Sequence, residues 1–274
     1  MHDIHFKAGR LTGRAVLAVR GQDATHFLHK LLTADIEHLA EGAATWAALL
    51  SPQGKILFDM LVLKGADGFL IDCAASQRAD LVKRLTIYKL RAKVEIAARD
   101  DLAVSVSPAP LPGGYADPRF EAIGWRAMRE AAGEAEGYDA ARIALGLPDS
   151  EADVGSGEFF PHEANMDQLG GVSFKKGCYI GQEVVSRMEH RGTARSRILP
   201  VTLDGTSPPK GTDIRAGEKQ IGTLLSSSGQ TALALIRLDR LAEAKEPLVA
   251  DGATIHVLKP RWARYDVPQA AGTA

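Results

Sequence analysis

Short apolar runs separated by glycine-bearing turns dominate the first hundred residues. A run at residues 15–19 is followed by a helical pattern over residues 23–32, where apolar positions recur every three or four residues. Three further runs, at residues 46–50, 56–64 and 69–73, are joined by short turns that contain glycine. This order predicts a strand, a helix and then a three-stranded antiparallel meander.

A second helical stripe, marked by Leu81 and Leu85, follows the meander and leads to a strand predicted at residues 102–106. The Pro- and Gly-rich segment 108–114 then reads as a linker. Strands packed with one or two helices are typical of the α+β class. We therefore predict an α+β unit up to this linker.

The pattern changes towards the C-terminus. A short helix is predicted at residues 140–145, and Gly146 stands where a left-handed C-terminal cap belongs. After Gly192 short alternating strands recur at regular spacing, separated by turns rich in Pro, Gly and Asp. They are predicted at 198–203, 220–225, 232–238 and 254–258. Such spacing favours a small all-β barrel.

Composition and charge narrow the class of protein. The chain has 274 residues, a formal net charge of -1 and no apolar run close to the ~20 residues of a membrane span. We therefore expect neither a nucleic-acid partner nor a membrane partner. The first residues lack the basic-then-apolar layout of a signal peptide, so a cytoplasmic location is expected. With two cysteines and no CxxC or HxxxH spacing, no metal site is predicted.

Residues 175–188 carry the most distinctive chemistry. Cys178 precedes a helical pattern that starts near Gly181, and two lysines stand just before it. The positive end of a helix dipole and nearby cations both favour thiolate over thiol, so one interpretation is a reactive Cys178. The other is a small core residue, the commonest role of a free cysteine. Cys73, inside an apolar strand, is expected to be inert.

The octapeptide Lys-Gly-Cys-Tyr-Ile-Gly-Gln-Glu at residues 176–183 resembles the signature of the YgfZ-type proteins. Weaker blocks spread over the whole chain resemble the same family. They lie at residues 21–35, 52–59, 142–148, 160–165 and 222–237. The chain is thus identified by resemblance as a member of the aminomethyltransferase-like superfamily, which includes the glycine-cleavage T-protein.

The resemblance implies a three-domain, ring-like fold with ferredoxin-like α+β domains and a small C-terminal β-barrel. The expected division is a folate-binding α+β domain at 1–48 and 115–195, an inserted α+β domain at 49–114, and a barrel domain at 196–274. It also implies tetrahydrofolate or a derivative as the cofactor, and iron–sulfur assembly proteins or client enzymes as partners. Eukaryotic relatives would lie in the mitochondrial matrix.

Several departures from the T-protein matter for activity. Only Asp59 remains where the T-protein has two adjacent carboxylates, and Ala144 replaces the glutamate that grips the pterin ring. Glu163 is the one carboxylate that stands in a position to substitute. Because aminomethyl transfer needs a positioned acid or base, turnover is doubtful.

The resemblance therefore implies a tetrahydrofolate-binding accessory protein in iron–sulfur cluster assembly or repair. Two alternatives stay open: a folate-dependent one-carbon transferase or demethylase, and a thiol or interaction module that ignores folate. Cys178 is expected as the reactive thiol and Asp59 as the residue that lines the folate cleft. The residues expected to bind the cofactor are Lys176, Gly177, Tyr179, Gly181, Gln182, Glu183 and Arg187.

Overall fold

The computed structural model describes residues 5–130, 133–192 and 194–269. The strands, in chain order, are β1 (Gly9–Arg10), β2 (Arg14–Arg20), β3 (Ala44–Leu50), β4 (Ile56–Gly65), β5 (Gly68–Ala74), β6 (Glu95–Ala98), β7 (Ala103–Ser107), β8 (Tyr115–Ala116), β9 (Trp125–Arg129), β10 (Ser196–Asp204), β11 (Asp213–Ala216), β12 (Lys219–Ser228), β13 (Thr231–Arg237), β14 (Leu248–Ala250) and β15 (Ala253–Val257). The α-helices are α1 (Ala24–Leu31), α2 (Arg78–Lys89), α3 (Tyr138–Ala144), α4 (Gln182–Arg191) and α5 (Leu238–Ala242).

The first sheet has the strand order β3-β4-β5-β2-β6, and every neighbouring pair is antiparallel. Without the edge strand β3, the elements follow the β-α-β-β-α-β order of a ferredoxin-like domain. Leu28 of α1 and Leu81 of α2 are fully buried in one core with Leu17 of β2. Both helices therefore cover the same face of the sheet.

The domain boundary expected between residues 48 and 49 falls inside β3. Ala47 pairs with Met60 and Leu49 with Phe58, so residues on both sides of that boundary join the same neighbour, β4. A single hydrogen-bonded sheet thus unites strands from the two predicted domains. Which strands share a sheet depends on pairing between distant segments of the chain. The local pattern of apolar residues does not reveal that pairing.

A second, smaller sheet has the order β1-β7-β9-β8 and packs beside the first. A buried ion pair between Asp72 of the first sheet and Arg126 of the second joins the two sheets. Asp72 of β5 accepts hydrogen bonds from Arg126 of β9 at 2.7 Å and from Arg14 of β2 at 2.5 Å. Asp117 pairs with Arg126 at 2.7 Å and with Arg119 at 2.8 Å, and these two arginines hold its pKa far below the usual range against the opposing effect of burial. Each buried charge has partners, as the cost of desolvation requires.

The C-terminal strands form a closed barrel in the order β10-β13-β12-β11-β14-β15. Its first strand begins at Ser196, and the barrel closes where Leu203 of β10 pairs with Ile255 of β15. The end of α3 contacts the barrel. Gly146 there has φ +74°, the left-handed cap expected from the sequence, and Trp262 donates to the Leu145 carbonyl at 2.8 Å.

One apolar core connects the first sheet, the segment around α3 and α4, and the barrel. Its buried members include Trp46 of β3, Ile143 of α3, Val185 of α4 and Leu233 of β13. The three parts therefore pack directly on one another. Across the described ranges, no helix combines the length and the apolar character needed to cross a membrane.

Candidate functional site

The signature segment forms a loop that ends at the start of α4. Gly181 occupies the position before the helix with φ +80°, a conformation that glycine adopts without strain. A Cβ on Gly181 would lie 2.6 Å from the Ser51 carbonyl oxygen and 3.0 Å from the Gly54 Cα. The turn at residues 51–55 therefore presses directly against the signature loop, which brings together two blocks that carried the resemblance.

Lys176 fixes the other end of the loop. Its buried ammonium donates hydrogen bonds to the carbonyl oxygens of Leu32 at 2.6 Å and Ala34 at 3.0 Å, and to that of His29. These carbonyls lie at and just after the end of α1, where a helix leaves carbonyls unpaired and the dipole attracts a cation. Burial lowers the pKa of Lys176 to about 8. Since an ammonium has three N–H donors, none remains for a ligand, and Lys176 has a structural role in place of the predicted cofactor contact.

Tyr179 packs into the central core. Its ring lies 5.2 Å from the Lys176 Nζ, and burial raises the pKa of its hydroxyl to about 12. Within the described residues that hydroxyl has no hydrogen-bond partner. The ring is held from inside the protein, and Tyr179 still forms part of the wall of a surface hollow.

Cys178 is exposed and lines that hollow, which has a volume of about 410 Å³. One wall is the loop of residues 177–180, and the opposite wall carries His26, His29, Lys30 and Glu37. The interpretation of Cys178 as a core residue is therefore wrong. Its predicted reactivity stays a prediction, now with a thiol that solvent and a partner can reach.

The second cysteine has the opposite environment. Cys73 is 1% exposed in β5, and burial raises the pKa of its thiol to about 12. A thiol that stays protonated is neither a good nucleophile nor a metal ligand. Cys178 is therefore the one cysteine of this chain that is suited to chemistry at the surface.

The histidine beside Cys178 is held by acidic neighbours. His29 Nδ1 accepts a hydrogen bond from the Glu37 backbone N–H at 3.3 Å, and the ring also lies 3.4 Å from the Asp35 carboxylate and 3.7 Å from that of Glu37. Burial, and then the charge of Lys176, lowers the pKa of His29. The opposite wall of the hollow is thus polar. The sequence pattern does not reveal it, because it depends on α1 packing against a loop 147 residues away along the chain.

The remaining residues predicted to bind a cofactor do not converge on this hollow. Glu183 and Arg187 form an exposed i,i+4 ion pair at 2.6 Å on α4. Neither they nor Gln182 and Gly181 belong to the wall around Cys178, whereas Gly177 and Tyr179 do. An exposed pair of this kind contributes little energy and is typical of a solvated helix face.

Asp59 is sealed inside the protein. Its side chain accepts a hydrogen bond from Trp46 Nε1 at 3.0 Å, and its other oxygen has no partner among the described residues. Burial raises the pKa of the carboxyl group. At 5% exposure the carboxyl group is buried, and the predicted place of Asp59 in a folate cleft stays a prediction.

The carboxylate of Glu163 also has partners within the protein. It accepts from the Phe160 backbone N–H at 2.9 Å and lies 3.9 Å from Lys55 Nζ. Its carboxylate thus stabilises the turn at residues 160–163. It is not poised to replace the missing pterin-binding glutamate.

One cluster in the described ranges has the composition of a metal site: His162, Asp167 and Glu189, whose ligand atoms lie within 4.8 Å of one another. Asp167, however, is held bidentately by the Arg197 guanidinium at 2.5 and 3.0 Å. That positive charge satisfies the carboxylate and opposes a metal cation. The cluster is better explained as a link between this loop and β10.

Comparisons with known proteins agree with this fold. A family model described as the CAF17 C-terminal beta-barrel domain matches residues 195–265. The mitochondrial iron–sulfur cluster assembly factor IBA57 of Mus musculus is 32% identical over 278 aligned positions, which cover 85% of this chain and 78% of the relative. The human IBA57 is 31% identical, covering 92% and 84% of the two chains.

A solved structure extends the likeness to nearly the whole molecule. The crystal structure of the glycine cleavage system aminomethyltransferase T from Bartonella henselae superposes with a TM-score of 0.77, covering 97% of this chain and 88% of the other. The sequence identity is 15%, so the likeness concerns the fold. It confirms the T-protein-like architecture expected from the sequence.

Proposed function

The chain belongs to the IBA57 family of iron–sulfur cluster assembly factors, and we propose that it handles the cluster through the exposed thiol of Cys178. The observation that carries this proposal is the contrast between the two cysteines. Cys178 stands at the rim of an open hollow on a loop anchored at both ends, and Cys73 is buried.

The number of cysteines limits how many ligands this chain can supply to a cluster. Iron–sulfur clusters are bound by about four protein ligands, mostly cysteine thiolates. The chain has two cysteines in all, and one of them is sealed. Cys178 therefore supplies one ligand, and a second protein supplies the others. Iron binding displaces the thiol proton, because the thiolate is the ligand.

The anchored loop explains how one sulfur is presented reproducibly. Lys176 fastens the loop to the end of α1, and Gly181 fits against the turn at residues 51–55. Cys178 lies between these two anchors. A ligand on a supported loop loses little conformational freedom when it binds.

Tetrahydrofolate binding, implied by the resemblance, is a separate proposal that this site does not support. The donors of Lys176 are all used, Glu183 and Arg187 pair with each other, and Asp59 is sealed. These residues do not assemble around one ligand-sized hollow, so no step of the proposed function runs through folate.

We propose in addition that the chain is of the YgfZ type. The octapeptide at residues 176–183 supports it, and it agrees with an assembly role in which Cys178 is the working residue. The alternative of a one-carbon transferase is weakened by Asp59, because an acid or base must reach the reacting nitrogen and this carboxyl group is 5% exposed.

A strain that lacks the gene for this protein (the deletion strain) provides the test. It would carry wild type, Cys178→Ala or Cys73→Ala at matched protein levels, and the activities of its iron–sulfur enzymes would be measured. We expect Cys73→Ala to restore activity and Cys178→Ala to fail. Equal restoration by Cys178→Ala and wild type would overturn the proposal.

A further inference from the structure

A second hollow adjoins the one that contains Cys178. It has a volume of about 440 Å³ and lies between α1 and the C-terminal end of α2. His26 and Lys30 of α1 belong to the walls of both hollows. The two hollows therefore form one continuous strip of surface that leads from the end of α2 to the sulfur of Cys178.

The far end of this strip exposes apolar side chains. Leu90, directly after α2, is 89% exposed, and Ile87 in the last turn of α2 is 57% exposed. Leu90 also has φ +44°, a backbone conformation that a leucine adopts at a cost of roughly 1 kcal/mol or more. A strained, exposed leucine beside a hollow is not explained by packing within this chain.

The same end is strongly basic. Three exposed or half-buried cations line the same hollow as Leu90, namely Lys30, Lys89 and Arg91. No carboxylate oxygen of the described residues lies within 4.0 Å of any of these side-chain nitrogens. The acids nearby are engaged elsewhere, since Asp23 accepts from the Lys93 backbone N–H at 2.7 Å and Glu37 faces the two histidines.

We propose that this strip docks an acidic surface of the cluster-carrying protein that supplies the remaining ligands to the cluster at Cys178. We call it the docking face and define it by His26, Lys30, Lys89, Leu90, Arg91 and the loop 177–180. Charge complementarity supports this choice of partner. Unpaired cations around the exposed Leu90 favour a protein surface that has carboxylates around an apolar contact. The inference rests on the proposed function of Cys178.

The location supports the same assignment. A protein that brings ligands to Cys178 must cover the hollow beside it, and this hollow continues into the basic end of α2. Contact there orients the partner before the sulfur is engaged. Electrostatic attraction of this kind raises the association rate and weakens as salt increases.

The test uses the full chain in the deletion strain described above. Leu90→Asp and the double variant Lys89→Glu/Arg91→Glu change the docking face, and Lys245→Glu/Arg261→Glu makes the same charge change at exposed positions on the barrel side. We expect iron–sulfur enzyme activity to fall about tenfold in the two docking-face variants and to be unchanged in the barrel variant. Melting temperature and the alkylation rate of Cys178 in the purified proteins should match wild type.

The outcomes separate the two proposals. Full activity with both docking-face variants, combined with failure of Cys178→Ala, would overturn the docking face and leave the role of Cys178 intact. Full activity with Cys178→Ala would overturn both. A wild-type dimer in sedimentation that Leu90→Asp converts to a monomer would show that a second copy of this chain covers the face, and would also overturn the proposed occupant.

Discussion

Gly54 and Gly181 meet with no room for a side chain on either. A Cβ on Gly181 would lie 3.0 Å from the Gly54 Cα, and a Cβ on Gly54 would lie 3.0 Å from that of Val184. Both glycines have φ near +80°. The contact fixes the start of α4 against the turn that follows β3, and Cys178 lies three residues before Gly181.

Gly181→Ala is therefore expected to destabilise the protein by about 3 kcal/mol, since the new methyl group meets the Ser51 carbonyl in a left-handed backbone conformation. Gly177→Ala is a matched control in the same loop, because no heavy atom lies within 4 Å of the added Cβ. Urea unfolding of both variants measures the difference. Equal stability would contradict the contact.

Lys176→Met should cost about 2 to 4 kcal/mol, because it leaves three carbonyl groups at the end of α1 without their donor. Lys175→Met changes the exposed neighbouring lysine and should have little effect. Thermal unfolding followed by circular dichroism compares the two. If both lysines proved equally dispensable, the anchor assigned to Lys176 would be wrong.

Thiol titration distinguishes the two cysteines. In the folded protein one thiol per chain, Cys178, should react with a chromogenic disulfide, and Cys73 should react only after unfolding in urea. Saturating tetrahydrofolate should leave the rate unchanged, because the residues assigned to folate do not gather around Cys178. If both thiols reacted slowly in the folded protein, the proposed role of Cys178 as an accessible ligand would be wrong.

Stability should fall as the solution becomes alkaline, in part because of Cys73. Its pKa is raised from 9.0 to about 12 in the folded protein, so between these values the folded state binds more protons than the unfolded state. The stabilising effect is complete below pH 9 and is lost as pH rises towards 12. Between pH 9 and 10, unfolding free energy should fall more steeply, by about 1 kcal/mol, in a Cys178→Ser protein than in Cys73→Ala/Cys178→Ser.

Asp59→Asn tests the transferase alternative. The amide keeps the shape of the side chain and an acceptor for Trp46 Nε1, so stability should change by no more than about 1 kcal/mol. In the deletion strain, iron–sulfur enzyme activity should remain at the wild-type level. Selective loss of that activity in a stably folded variant would favour a catalytic carboxyl group.

The alternation of apolar residues predicted most elements of this fold. Residues 15–19, 56–64 and 69–73 are strands, and Gly146 ends α3 in the left-handed conformation. These features depend on local periodicity and on the φ preference of glycine. The barrel was predicted for the same reason, because its strands and turns follow one another closely along the chain.

The site was harder to predict, because it depends on contacts between distant segments. The sequence singled out Cys178 but gave no sign that His29 and Glu37 would face it across a hollow. The sequence predicts a ligand contact for Lys176, since nothing local shows that its ammonium reaches the end of α1. Likewise, the burial of Asp59 follows from the pairing of β3 with β4.

The carboxylate of Asp72, held between Arg14 and Arg126, has a consequence for how the protein meets other molecules. Sliding the second sheet past the first would separate the buried carboxylate of Asp72 from Arg126, its partner in the second sheet, a change that costs several kcal/mol. The two sheets therefore behave as one rigid body. A binding partner encounters a surface whose shape is already set, so little of the binding free energy is spent on ordering it.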